Sequence, residues 1–284
     1  MTREKTTAAA DARNILLKLA AGETVRGVTA PPMRIPRKLT LLGSSYKVDK
    51  GVTAGVETAI LYLAPADSGG IKRNGKPLNL CPWASAGCRR GCLGENAGRM
   101  VQSGVANSRT WKTALFAAAP ELMREMLEGE IVALERRAAR KGAVPALRLD
   151  GTSDIGLALL WDIPRRFPAV QVYDYTKSTA RLRKASRLGL PNYHLTFSAS
   201  ENADSMDGAR AALDLGYSVA AIVPADTVPD GARLSRRVAG RHATVISGDD
   251  TDARFTDAPG SIVYLGVKGG RAVADKLGAM VFAV

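Results

Sequence analysis

Cys81, Cys88 and Cys92 are the only thiols in 284 residues, and they share one Gly-rich stretch, residues 79–99. Their spacing is C-x6-C-x3-C. Gly87, Gly91, Gly94 and Gly98 let the backbone wrap closely around a bound group. A structural zinc takes four ligands, and there is no fourth cysteine. The two histidines, His194 and His242, lie far away in sequence. Three thiolates suit an iron–sulfur cluster that keeps one iron open or takes a different fourth ligand. A [4Fe-4S] cluster is therefore expected, with zinc as its alternative. Arg89, Arg90 and Arg99 would offset the negative charge of thiolates and sulfides. The opposing reading is three reduced structural cysteines, or one disulfide and a spare. No secretory signal precedes them, which disfavours disulfides and predicts an intracellular protein.

The elements that must position this loop follow from apolar patterning. Residues 8–21 read as a helix, and 28–43 as a basic, Pro-rich extended arm or solvated linker. Residues 45–50 and 56–63 read as strands. A long helical stretch spans 101–140, with a break expected at Pro120 and an amphipathic helix over 121–140. From residue 145, short apolar runs alternate with helical segments: 146–149, 170–173, 193–197, 218–223, 243–246 and 262–265. Such alternation predicts βαβ units with right-handed crossovers. About six to seven parallel strands suggest an α/β fold, a full or partial (β/α) TIM-like barrel over residues 44–284. Residues 1–43 form the N-terminal helix and arm.

Polar residues follow each expected strand, where parallel barrels place their sites. They are Asp150, Thr152 and Asp154; then Asp174 and Lys177; then Ser198, Glu201 and Asn202; then Asp249, Asp250, Asp252 and Arg254; and finally Lys268. The cysteine loop also follows a strand and precedes a helix, so it should open on the same face. Part of this set is expected to be helix caps and turns. Asp249, Asp250 and Asp252 are dense enough for a divalent cation, as in a metal-dependent nuclease, unless Arg254 pairs with one of them.

The net charge of +13 favours nucleic acid, anionic substrates or an acidic partner. Only 5% of residues are aromatic, which argues against a broad base-stacking platform. Candidate phosphate contacts are Arg89, Arg90 and Arg99, with Arg181, Arg183 and Lys184 in the acid-free segment 177–187. A second basic segment holds Arg233, Arg236, Arg237 and Arg241. Solvated helix exteriors are the plainer reading of both. No apolar run reaches membrane-spanning length, so no membrane partner is expected.

The stretches CPWASAGCRRGCLGENAGR, RLDGTSDI, YDYTK, LTFSASEN and GDDTDARFTD together resemble the mycobacteriophage gene-eighty-eight family, over roughly residues 40–270. The resemblance implies a phage-encoded protein acting in the host bacterial cytoplasm. A three-cysteine loop after the first strand of a barrel is also similar to the radical S-adenosylmethionine enzymes. There the fourth iron of a [4Fe-4S] cluster binds S-adenosylmethionine. This chain departs from their usual C-x3-C-x2-C, and Gly91 stands where an aromatic commonly precedes the last cysteine. Radical chemistry is thus one expectation. A nucleic-acid-binding protein with a structural or redox-sensing cluster, or zinc, is the other.

Overall fold

A computed structural model describes residues 2–43, 55–96, 98–249 and 251–282. The strand expected at 45–50 and the carboxylate Asp250 lie outside them. Helix α1 (Thr2–Ala20) buries Ala12, Leu16 and Leu19, spaced three and four apart as one apolar stripe. That stripe joins the same core as the strands and helices after residue 55. The following arm carries two short strands, β1 (Val28–Thr29) and β2 (Leu42–Gly43). Its prolines supply no amide donors, and side chains of the body hold it instead. Arg13 Nη1 donates to the Pro36 carbonyl at 2.6 Å, and Glu130 accepts the Leu41 and Leu42 amides at 2.8 and 2.9 Å.

Strand β3 (Val56–Leu61) begins the parallel part of the sheet. A small hairpin follows, β4 (Lys72–Arg73) and β5 (Lys76–Pro77), paired through β4 to β1. The cysteine loop contains two short helices, α2 (Ala86–Arg90) and α3 (Leu93–Asn96). Helices α4 (Ser103–Ala118) and α5 (Pro120–Lys141) break at Pro120 as the sequence predicts. Leu127, Ile131, Leu134 and Ala138 of α5 form a buried stripe in that shared core.

Strand β6 (Val144–Arg148) pairs with β3. After it come α6 (Leu157–Leu160), α7 (Ile163–Arg166), β7 (Gln171–Thr176), α8 (Thr179–Leu188) and β8 (Tyr193–Ser198). The chain continues through α9 (Ser205–Asp214), β9 (Ser218–Val223), α10 (Gly231–Ala239), β10 (Val245–Ser247), β11 (Ile262–Gly266) and α11 (Gly270–Leu277).

The main sheet has eight strands in the order β10-β11-β9-β8-β7-β6-β3-β2. All neighbours are parallel except β2, which runs antiparallel to β3. The fold is therefore α/β with a large, mostly parallel sheet flanked by helices. Of the full or partial barrel expected from the alternation, no closed barrel forms among the described residues. Among the described residues β10 and β2, at opposite edges, do not pair. Two features account for the open edges. The antiparallel β2 cannot join a parallel closing pair, and β11 inserts between β9 and β10 instead of extending the series.

The helical side buries Leu147, Val172, Leu195 and Val219. On the other face Val56, Ala146 and Tyr173 pack together with Phe255. Phe255 belongs to a short 3₁₀ turn, Arg254–Thr256, which the β10–β11 connection lays against β7 and β8. Among the described residues, no helix is long and apolar enough to cross a membrane.

Candidate metal centre

The three cysteines stand at the carboxyl ends of the parallel strands, held by loops from three directions. The Cys81 sulfur accepts the Ala66 amide at 3.2 Å, and its thiol points to the Thr152 carbonyl at 3.6 Å. Ser85 caps α2 by accepting the Cys88 amide at 3.1 Å. The Ser85 hydroxyl donates to Glu201 Oε2 at 2.7 Å, and the Gly87 amide donates to Glu201 Oε1 at 2.6 Å. The amides of Gly94 and Glu95 reach the Cys92 sulfur. The loop leans on α11: a Cβ at Gly87 would lie 2.5 Å from the Leu277 carbonyl, and one at Gly91 would lie 2.5 Å from Leu277 Cγ. Only glycine permits that approach.

All three thiols are free and partly buried. Burial pushes Cys81 up to about 12, with the charges of Cys92, Cys88 and Asp154 adding to it against the Ala66 amide. Burial likewise raises Cys92 to about 11, opposed by the Gly94 amide. Cys88 is raised by burial and pulled down by Lys177. Without a bound group the three sulfurs are therefore protonated at neutral pH. Among the described residues, no three His, Cys, Asp or Glu side chains stand where they could hold one metal ion.

Lys177 is the cation next to this loop. Its ammonium donates to Ser198 Oγ at 2.7 Å and to the Ser198 carbonyl at 3.0 Å. Burial lowers its pKa, and the charges of Cys88, Asp154, Glu201 and Cys81 oppose that. Burial pushes the Glu201 carboxyl up, but the Gly87 amide and Ser85 hydroxyl outweigh it and leave it below the usual carboxylate range.

The remaining strand-end residues divide into separate groups. Asp150, Asp154 and Asp174 all bind Arg181, at 2.9, 3.0 and 3.1 Å. Tyr193 joins that network through its hydroxyl, 2.8 Å from Arg181 Nη2. Asp150 also accepts the Gly156 amide, and Asp174 accepts the Leu149 and Asp150 amides. These carboxylates are tied to a buried structural ion network, and Arg181 is buried at 8% exposure, out of reach of a phosphate backbone. Thr152 stays at the cysteine loop, its hydroxyl donating to the Leu63 carbonyl. Asn202 is exposed.

Asp249 accepts the Gly266 amide and pairs with Lys268 at 2.9 Å. Asp252 instead takes Arg148 at 3.5 Å and the Tyr173 hydroxyl at 3.3 Å. Arg254 is buried beside Asp257. The two described aspartates of the expected cation site thus serve different cations. Arg89 is exposed and pairs with Asp67, while Arg90, Arg99, Arg183 and Lys184 are exposed.

Two features escaped the sequence reading. Arg109 of α4 is buried at 3% exposure and donates to Glu95 Oε1 at 3.1 Å, yet its Nε and Nη1 have no acceptor. No signal in the sequence singled it out, because Asn107, Ser108, Thr110, Lys112 and Thr113 stand around it in α4. The other is the polar far face of the sheet, where Arg148 lies 4.7 Å over the Tyr175 ring and His194 faces the Arg254 turn.

Fold and site together define an α/β protein with a mostly parallel sheet and a three-thiol loop at its strand ends. The family model described as Gene product 88 matches residues 41–281, and the chain belongs to this phage gene-product family. No curated protein and no solved structure matches it.

Proposed function

We propose that this is an iron–sulfur protein in which Cys81, Cys88 and Cys92 hold one [4Fe-4S] cluster with one iron left open. The observation that carries this reading is that all three thiols sit together in one glycine-tight loop at the strand ends, with the Lys177 ammonium acting on Cys88. Burial keeps the free thiols neutral, which leaves Lys177 without a counter-charge among the sulfurs. A thiolate-bound cluster is anionic and rich in sulfur acceptors, and so would balance that cation. A single zinc ion needs its sulfur ligands all at about 2.3 Å. A four-iron cluster takes each thiolate on a separate iron, and three cysteines leave its fourth iron open.

On this reading the open sheet is an incomplete barrel with the cluster at its mouth. When bound, the cluster supplies one-electron chemistry and a free coordination position, for which S-adenosylmethionine is the first ligand to try. The chain's own residues do the rest. Glu201 and Ser85 fix α2, Lys177 balances charge, and the Gly94 and Glu95 amides donate to the Cys92 sulfur. Arg148, Tyr175 and Ser198, only partly buried, provide polar groups along the sheet to orient a substrate.

The test is purification without oxygen, with iron and sulfide analysis and electron paramagnetic resonance with and without S-adenosylmethionine. Broad visible absorption with stoichiometric iron and sulfide is the expected result. A changed resonance on adding S-adenosylmethionine supports the radical reading, and an unchanged one removes it while keeping the cluster. A colourless protein holding zinc or no metal overturns both.

A further inference from the structure

We infer that the β4–β5 hairpin is a nucleic-acid contact: it grips a phosphodiester backbone and brings it to the cysteine loop. The hairpin reads Lys72-Arg73-Asn74-Gly75-Lys76-Pro77, with three cations and no carboxylate. Both of its strands are exposed. Many of the chain's arginines are neutralised by neighbours, among them Arg89, Arg124, Arg166, Arg181 and Arg241. Lys72, Arg73 and Lys76 have no ion-pair partner among the described residues. Their charge is therefore fully available.

The hairpin is also rigid. Asn74 and Gly75 have φ of 51° and 77°, the two positive angles of the tight Asn-Gly turn that matches strand twist. Asn74 donates its amide to the Gly27 carbonyl at 2.7 Å, and β4 pairs with β1. Cations on a fixed ribbon lose less freedom on binding than cations on a mobile tail. A two-stranded ribbon is moreover the right width for a nucleic-acid groove.

The chain runs from the hairpin directly into the cysteine loop, whose Trp83 is 50% exposed. Seven residues after Lys76 in the chain, this half-exposed indole offers a face on which a base can stack. The net charge of +13 supplies the long-range attraction. Duplex DNA, single-stranded DNA and RNA share the phosphodiester chemistry that the cations read, and the test separates them. None of this depends on the cluster, so the two readings fail independently.

The experiment is fluorescence anisotropy of the full-length protein with labelled duplex DNA, single-stranded DNA and RNA of one sequence, over a range of salt. It compares wild type with Lys72→Gln/Arg73→Gln/Lys76→Gln. An equal change of charge on the exposed side of α10, Arg233→Gln/Arg236→Gln/Arg237→Gln, is the control, and thermal melting confirms that each folds. The hairpin variant should bind about tenfold or more weakly at low salt, with a log–log salt slope shallower by roughly two to three. Trp83→Ala should weaken single strands more than duplex. The proposal is overturned by no binding in wild type, by equal losses in hairpin and control variants, or by anionic phosphatidylserine vesicles displacing the nucleic acid.

Discussion

Glu201 and Gly87 are joined by a 2.6 Å hydrogen bond that ties the loop after β8 to the first turn of the cysteine helix. The same carboxylate takes the Ser85 hydroxyl, which in turn holds the Cys88 amide. One side chain therefore sets where Cys88 points, much as outer-sphere partners orient metal ligands.

With the proposed cluster bound, Glu201→Ala should weaken iron retention by about 10- to 100-fold. Glu201→Gln keeps one acceptor and should fall between Ala and wild type. Iron and sulfide per chain after timed chelation give the ranking. Alkylation of Cys88 in the metal-free protein gives a second readout, and should speed up in the Ala variant. Equal retention in all three proteins would show that the contact merely decorates the loop.

Gly91 and Leu277 make a second joint. A Cβ at position 91 would sit 2.5 Å from Leu277 Cγ and 3.0 Å from its amide nitrogen. Gly91→Ala should cost about 1–3 kcal/mol by overpacking. Leu277→Ala removes the obstructing carbons and should cost about 2–5 kcal/mol on its own. The double variant should be less destabilised than the two costs combined, because the new methyl fills part of the space vacated. Chemical denaturation of the four proteins closes the cycle, and strict additivity would contradict the packing described.

Much of this fold was legible because burial leaves a period in the sequence. Leu122, Met126, Ile131 and Leu134 were the apolar positions that marked α5, although Leu122 and Met126 are only half-buried and Met123 and Leu127 lie deeper; the β-branched run of Ser218–Val223 gave β9 with its bounds. Strand order was not legible. The alternation of β9, β10 and β11 looks the same whether β11 extends the sheet or inserts into it, and β10 has only three residues. The cysteine loop stood out because all the thiols lie in it. The polar strand ends could not be sorted in the sequence for a physical reason: a carboxylate in a buried ion network and one facing a ligand have the same letter. Asp150 and Asp174 are assigned by Arg181, which lies on a helix beyond them. Arg109 was hidden because Ser108, Thr110 and Lys112 beside it are polar, so nothing in the pattern marked it as buried.

Arg181 bears three carboxylates, and its loss should be costly. Arg181→Met would leave Asp150, Asp154 and Asp174 buried without their cation, a loss of about 3–5 kcal/mol. The deficit should shrink at acid pH, where the stranded Asp154 and Asp174, both raised by burial, take up protons and cease to be buried charges. Arg183→Gln, two residues away on the exposed face, should stay within about 0.5 kcal/mol of wild type. Urea midpoints at neutral and acid pH decide between them. An Arg181 variant as stable as the Arg183 one would mean that the network contributes nothing.

His194 sets a pH dependence of its own. Burial, with the positive charge of Arg254 close by, lowers its pKa from 6.5 to about 4. In the unfolded chain it titrates near its ordinary value. Between those two values the unfolded state binds a proton that the folded state refuses. Stability from this residue is complete above about pH 6.5, declines as pH falls towards 4, and levels off below that. The shift corresponds to roughly 3 kcal/mol across the window. His194→Gln has no such proton to gain, so its unfolding free energy should fall less between pH 6.5 and 4 than that of wild type. Carboxylates titrate in both proteins and cancel in the difference. Parallel curves for the two would place the imidazole in water instead of against the Arg254 turn.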